Sequence, residues 1–306
     1  MYKVAVLMST YNGEKYLKEQ IDSILAQKDV EVTLYVRDDG SSDGTIGIIK
    51  FYQKNNKNIR LDIGENLGVG NSFMKLVCDA GDEYDYYAFA DQDDVWLPEK
   101  LNKGIDKVSF YETPSCYCSN QTLVDDKGKT IRERHNERIG TGYLDVLNNN
   151  LVTGCTMIWN KALQKDLIEE KHIPSSELLL KRIHDVWVAM VASTIGLVIY
   201  DNKSFIHYRQ HENNVVGVRR ARLISEWRKK INNPKLRNGR SFLAREVLER
   251  YSDLIQSQEI KETLSLYAYY NKNKSYKRRL IKYGNISTYS GEPSWQVNVK
   301  IFFNLI

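Results

Sequence analysis

The sequence predicts an α/β fold: a mixed, mainly parallel sheet flanked by helices and continued by a helical C-terminal extension. Three observations carry this. Roughly the first hundred residues alternate apolar, β-rich runs with helix-period segments. The helical segments are long enough to require parallel pairing with right-handed crossovers. Four successive strand ends run into polar loops, and in open sheets of this kind ligands bind beyond the carboxyl ends of the strands.

Residues 3–10 read as the first strand, 14–26 as a helix with Tyr16, Leu17, Ile21, Ile24 and Leu25 on one face, and 30–37 as the second strand. The pattern then repeats, with 45–52 helical, 59–63 extended, 72–79 helical and 86–90 extended. Cys116 and Cys118 alternate as strand positions do, and with Cys78 and Cys155 they follow no zinc spacing, so all four read as free thiols. Residues 153–159, TGCTMIW, read as a further strand, and the apolar run 186–191 as a helix. At 42% hydrophobic residues in 306, the chain can bury a sizeable core. The longest nearly apolar stretch, 186–200, falls short of the roughly 20 residues that span a bilayer. The opening strand is too short for a leader's apolar core, so an intracellular protein without a transmembrane helix is expected.

The strand ends are where chemistry is expected. The first gives Ser9-Thr10-Tyr11-Asn12, the second DDGSSDGT from Asp38, the third the glycine-rich loop 64–71 with Asn66, and the fourth DQDD from Asp91. Singly, each is also what tight turns and helix caps use; their joint arrival at one rim is the signal. Along an extended chain Asp91 and Asp93 point to the same side, where two carboxylates can face one hard cation. Asp94 faces elsewhere and is expected to cap the helix announced by Pro98 and Glu99. A divalent ion held this way keeps positions for phosphate oxygens, which points to a nucleotide diphosphate as its other partner.

STYNGEKYL, DDGSSDGT and DQDDVW, in that order, resemble the family 2 glycosyltransferases, inverting enzymes of the Rossmann-like GT-A fold. HDVWVAMV from His184 and YRQHENNVVG from Tyr208 are similar to the bacterial branch that includes rhamnosyltransferases of surface polysaccharide synthesis. The resemblance covers residues 1 to about 217 as a glycosyltransferase domain and leaves 218–306 as a basic, mainly helical region. It implies that Ser9, Tyr11 and Asp39 hold the nucleobase and ribose of a nucleotide sugar, with Asn66 and Arg209 among the donor contacts. Asp91 is then a ribose or metal contact, and Asp93 a ligand of Mg²⁺ or Mn²⁺. Asp185 falls at the family's catalytic-base position, although an Asp before an apolar helix is also a good N-cap. His184 is open to either a structural or a functional role. An extended FIHYRQH puts His207, Arg209 and His211 on one side, with His211 as third metal ligand. TGCTMIW lies near the acceptor side by its position in the family.

The implied donor is dTDP-L-rhamnose, with a UDP-hexose (glucose, galactose or GlcNAc) as the alternative, and the implied acceptor a lipid-linked saccharide. A nucleotidyltransferase would need a glycine-rich, basic triphosphate loop after the first strand, where STYNGEKYL has one Gly. A catalytically inactive donor-binding protein would have little reason to keep Asp91, Asp93 and Asp185 together. Residues 219–250 carry eleven Lys/Arg against three Glu, an excess of eight in a chain whose net charge is +5. No nucleic-acid motif accompanies them, so nucleic acid is not an expected partner. Leu223, Ile224, Trp227 and Ile231 on one helical face, Arg220, Arg222, Arg228, Lys229 and Lys230 around them, and the apolar C-terminus WQVNVKIFFNLI fit either a packed helical subdomain or a peripheral contact with an anionic membrane surface.

Overall fold

The computed structural model describes residues 1–211, 238–282 and 286–306. The chain opens with β1 (Tyr2–Thr10), α1 (Leu17–Leu25), β2 (Val30–Asp38), α2 (Thr45–Asn55), β3 (Ile59–Ile63), α3 (Val69–Asp79) and β4 (Tyr86–Ala90). It continues through β5 (Val95–Trp96), α4 (Lys100–Val108), β6 (Ser115–Val124), β7 (Thr130–Glu133), α5 (Tyr143–Asn149), β8 (Ile158–Asn160), α6 (Lys161–Ile168), α7 (Ser176–Lys181), α8 (His184–Ile195) and β9 (Leu197–Arg209). The C-terminal helices are α9 (Gly239–Tyr251), α10 (Gln258–Tyr269), α11 (Lys274–Lys282), α12 (Ile286–Ser290) and α13 (Ser294–Phe302).

One sheet runs through the molecule in the order β3-β2-β1-β4-β8-β6-β9-β5, with β7 paired to β6. Its first four strands are parallel, as the alternating helices require. The register aligns their carboxyl ends: Thr10 lies opposite Asp38, Asp38 opposite Ile63, and Met8 opposite Ala90. β8 and β5 reverse direction, and the short antiparallel ladder of β5 on β9 pairs Val95 with His207 and Trp96 with Ile206. That ladder brings the late FIHYRQH segment beside DQDD.

Period-2 side chains divide β1 between two cores. Val4, Val6 and Met8 pack with Leu17, Ile21 and Ile24 of α1, whereas Ala5 and Leu7 enter the larger core with Phe73, Phe89, Trp159 and Trp187. α8 is buried nearly all round, as its continuous apolar run dictates. Leu243, Val247 and Tyr251 of α9, Leu264 and Tyr267 of α10, and Ile301 and Ile306 at the C-terminus join that larger core.

Two expectations need correction and others fall outside the described residues. TGCTMIW is not a continuous strand: residues 154–156 form a 3₁₀ turn, and only Ile158–Asn160 is extended. The turn closes because Thr156 donates from its hydroxyl to the Thr153 carbonyl (2.8 Å) and Met157 N–H donates to the Gly154 carbonyl (2.8 Å). Asp94 does not cap α4, whose N-cap residue Glu99 makes no capping side-chain bond; the Asp94 carboxylate instead accepts the Arg209 N–H at 3.1 Å. The boundary expected near 217, and the helical face through Leu223, Ile224, Trp227 and Ile231 with its surrounding arginines and lysines, lie outside the described residues.

Candidate active site

The β1 and β2 end loops are clamped to each other. Asn12 and Gly13 donate backbone N–H groups to the hydroxyls of Ser41 (2.9 Å) and Thr45 (2.8 Å). In return Ser42 N–H donates to Asn12 Oδ1 (2.9 Å) and Gly44 N–H to Glu14 Oε2 (2.6 Å). The Gln92 amide ties the DQDD loop to the same place, accepting the Tyr11 N–H (2.9 Å) and donating to the Tyr11 carbonyl (3.1 Å). Gly13 makes this possible, since a Cβ there would overlap Gln92 Oε1. The turn-forming residues of these motifs therefore do both jobs that the sequence left open: they close turns, and in closing them they assemble a rim.

Of the expected nucleotide contacts, Ser9 and Asp39 are linked through two buried residues that the sequence reading missed. Ser9 Oγ lies 2.6 Å from Ser72 Oγ, and the buried Arg37 guanidinium donates to Ser72 Oγ (3.0 Å), to the Glu65 carbonyl (2.8 Å) and to Asp39. Asp39 also accepts the N–H groups of Leu67 (2.8 Å) and Gly68 (3.0 Å), so this carboxylate orders the 64–71 loop and would share its remaining acceptor capacity with any base N–H. Asn66 sits exposed in that loop, its side-chain oxygen accepting the Gly68 N–H at 3.2 Å. Tyr11 exposes its ring at the rim. An Arg just inside the end of an otherwise apolar strand was the available signal for Arg37.

The acidic centre is crowded. Asp93 Oδ2 lies 2.6 Å from His211 Nε2, the partnership that the β5–β9 ladder makes possible. Asp91 shares a different cluster with Asp94 and Cys155, in which one donor atom from each lies within 4.8 Å of the others. Burial, then the negative charges of Asp93 and Asp185, push the Asp91 carboxyl up to about 7. Burial and the charges of Asp93 and Asp91 push Asp94 well above the carboxylate range, and its Oδ2 is buried without a hydrogen-bond partner. Two carboxyls and a thiol gathered this closely are a donor set that can hold a metal ion. The expected placement of Asp91 and Asp93 on one side is not what forms: residues 92–93 turn rather than extend, so Asp93 meets His211 while Asp91 groups with Asp94 and Cys155.

Arg209 is held by its surroundings. Its guanidinium donates to the carbonyls of Asp93 (2.9 Å) and Asp126 (3.0 Å), pairs with Glu19 at 2.6 Å and covers the Tyr16 ring. These contacts fix the path of the DQDD loop. His207 stands opposite Val95 in the ladder.

Asp185 lies in the first turn of α8 and is buried. Its two oxygens accept the N–H groups of Val186 (2.7 Å) and Gly154 (3.2 Å), so it does serve the helix start while facing the site. Burial raises its carboxyl to about 6, against the lowering effect of those two N–H donors and of the Arg134 charge. Gly154 suits this approach: a Cβ there would stand 3.0 Å from His184 Nε2 and 3.3 Å from Asp185 Cβ, so these neighbours would have to give by a few tenths of an ångström. His184 is wedged against Phe73 (3.9 Å between ring centroids) and Phe89 (4.7 Å), and burial drops its pKa to about 3, which makes it a neutral packing element.

Arg134, just past β7, is a further residue that the sequence did not flag. It is half-buried, donates to Gln121 Oε1 (2.6 Å) and Thr153 Oγ1 (3.1 Å), and lowers the proton affinity of both Asp91 and Asp185. Nothing in RERHNER distinguishes it locally from a solvated hairpin. The fold thus gathers the polar strand-end motifs, an acidic centre and a buried carboxylate near a fixed guanidinium at one end of a mainly parallel sheet.

Comparison with known proteins accounts for this gathering. A 33% identical stretch of 220 residues, covering 69% of this chain and 73% of the other, is shared with the dTDP-rhamnosyl transferase RfbG of Shigella flexneri. The fold is similar to S. aureus TarS 1-349 in complex with UDP, with a TM-score of 0.56 and 18% identity over 95% of this chain and 75% of that one. The same protein in complex with UDP-GlcNAc gives 0.55 and 16% over 99% and 92%. These structures share the GT-A fold. Residues 5–169, which span all four strand-end loops, match the family model described as glycosyl transferase family 2, and the chain belongs to that family.

Proposed function

We propose that the protein is an inverting, metal-dependent glycosyltransferase that moves L-rhamnose from dTDP-L-rhamnose onto a lipid-linked saccharide in cell-surface polysaccharide synthesis, working peripherally at the inner face of the cell membrane. The observation that carries the chemistry is the buried Asp185 carboxyl, raised to about 6 and within the electrostatic reach of Asp91. Inversion in one step needs a base on the face of the sugar opposite the leaving group, and a carboxylate with raised proton affinity is suited to take the acceptor's proton as attack proceeds. Tyr11 stacks on the pyrimidine, and Ser9, Asp39 and Asn66 line the nucleoside end. Asp91, Asp93 and His211 would hold Mg²⁺ or Mn²⁺, whose charge offsets that developing on the departing diphosphate. Arg209 acts from behind, keeping the Asp93 segment in place for the diphosphate. The rhamnosyl donor is supported by the 33% identity to a dTDP-rhamnosyl transferase. Among the described residues no helix is long and apolar enough to cross a membrane.

The test is turnover of a donor panel (dTDP-rhamnose, UDP-glucose, UDP-galactose, UDP-GlcNAc) with Mn²⁺, for wild type and Asp93→Ala. Preference for dTDP-rhamnose is expected, together with loss of turnover and of Mn²⁺-dependent dTDP binding in the variant by calorimetric titration. Preference for a UDP-hexose would replace the rhamnosyl reading. Undiminished metal-dependent affinity in Asp93→Ala would remove Asp93 from the metal set.

A further inference from the structure

Among the described residues, the last helices leave an apolar surface uncovered. Val297 and Ile301, one turn apart on α13, face the core, whereas Trp295 and Phe302, two turns apart and so on one common face, are each 64% exposed. Phe303 follows at 62% exposed, its ring edge-on to Phe302 at 5.2 Å. Beside them lies α11, which buries Leu280 and exposes Ile281. The two helices are pinned together by Lys277, whose ammonium donates to the Phe302 carbonyl (2.6 Å) and Asn304 Oδ1 (3.0 Å).

The charge around this surface is one-sided. Residues 263–306 contain seven Lys/Arg and one acid, Glu292, and that acid is already paired with Arg240 and Lys300. Lys274, Arg278 and Lys282 stand exposed at four-residue spacing along α11, with Arg279 also exposed.

We propose that α11 and α13 form the surface by which the protein lies on an anionic bilayer. This deepens the membrane association proposed above by assigning it a place in the fold. Indole and phenyl rings favour the boundary between headgroups and acyl chains. Exposed cations along the neighbouring helix are drawn to anionic lipid by a term that salt screens. A second copy of the chain fits the surface less well, because a two-fold contact would set this cationic face against itself.

The experiment uses the full chain with phosphatidylcholine vesicles, with and without phosphatidylglycerol. Wild type should co-sediment with the anionic vesicles only, and release should follow at roughly 1 M salt, where the screening length is a few ångströms. Trp295→Ser/Phe302→Ser/Phe303→Ser should weaken partitioning by about tenfold or more, and Lys274→Gln/Arg278→Gln/Lys282→Gln should abolish the preference for anionic lipid. Soluble donor turnover should be unchanged in both, which separates this surface from the catalytic reading. Binding that survives both triple variants, binding lost only in Arg228→Gln/Lys229→Gln/Lys230→Gln, or a dimer in solution that the aromatic variant dissociates would each overturn the assignment.

Discussion

In the proposed mechanism Asp185 combines two roles that usually compete. A carboxylate in the first turn of a helix accepts backbone N–H groups and so becomes a weaker base, yet here burial outweighs the bonds from Val186 and Gly154 and leaves the group at about 6. Because this value lies above the usual 3.8, the folded state binds the proton more tightly than the unfolded chain. The group therefore costs stability progressively as pH rises from about 4 to about 6, with the full cost present above that. Asp185→Asn removes the buried charge but leaves one of two N–H donors without an acceptor, a loss of about 1 kcal/mol that the relieved burial cost opposes. The expected result is a near-wild-type melting temperature at pH 7, unchanged donor binding, and a turnover lower by about 10²-fold or more. In the wild type, kcat should rise with pH through about 6. A wild-type kcat in Asp185→Asn, measured beside circular dichroism melts, would take the residue out of the mechanism.

At the scale of elements, the rim depends on loops that hold one another rather than on any single strand. Gln92 is the cross-tie between the β1 loop and the DQDD loop, and its amide fits only because residue 13 has no side chain. Gly13→Ala should displace the flexible end of Gln92 and break its two bonds to Tyr11, loosening the Tyr11 ring and the Asp91–Asp94 path together. The expected readout is a severalfold rise in donor KM, a smaller fall in kcat and a stability change within about 1 kcal/mol, with Gln92→Ala giving the same pattern. An unchanged KM in both variants would show that the tie is not needed for donor binding. The same scale explains what the sequence could disclose. The strand-end loops were legible because parallel β1 to β4 follow from periodicity alone, so Ser9, Asp39 and Asp91 fall at one rim without further information. Asp94 was misread as a helix cap because its true partner, the Arg209 N–H, arrives through a two-residue antiparallel ladder that local pattern does not encode. Cys155 and Arg134 were hidden for a similar reason: their side chains meet partners far along the chain, Gln121 for Cys155, and Gln121 and Thr153 for Arg134.

For the molecule as a whole, the C-terminal helices are structural partners of the catalytic sheet. The larger core runs without interruption from Ala5 and Leu7 of β1 through Trp159 and Trp187 to Tyr251, Tyr267 and Ile306. Tyr251 lies at the centre of that junction: fully buried, it stacks on His172 at 4.1 Å, meets the Trp187 ring edge at 5.8 Å and donates its hydroxyl to the Asp166 carbonyl at 3.3 Å. Trp187 belongs to α8, the helix whose first turn carries Asp185, so packing at α9 bears on the position of the proposed base. Tyr251→Ala opens a cavity between His172 and Trp187, a change of the kind that costs about 3–5 kcal/mol. A core shared in this way should melt as one unit, so calorimetry is expected to show a single transition that moves to lower temperature as a whole in the variant. Donor turnover should disappear at the same temperature as the helical signal. Two transitions, of which only the smaller shifts in Tyr251→Ala while turnover follows the other, would mean that residues 239–306 fold apart from the catalytic sheet.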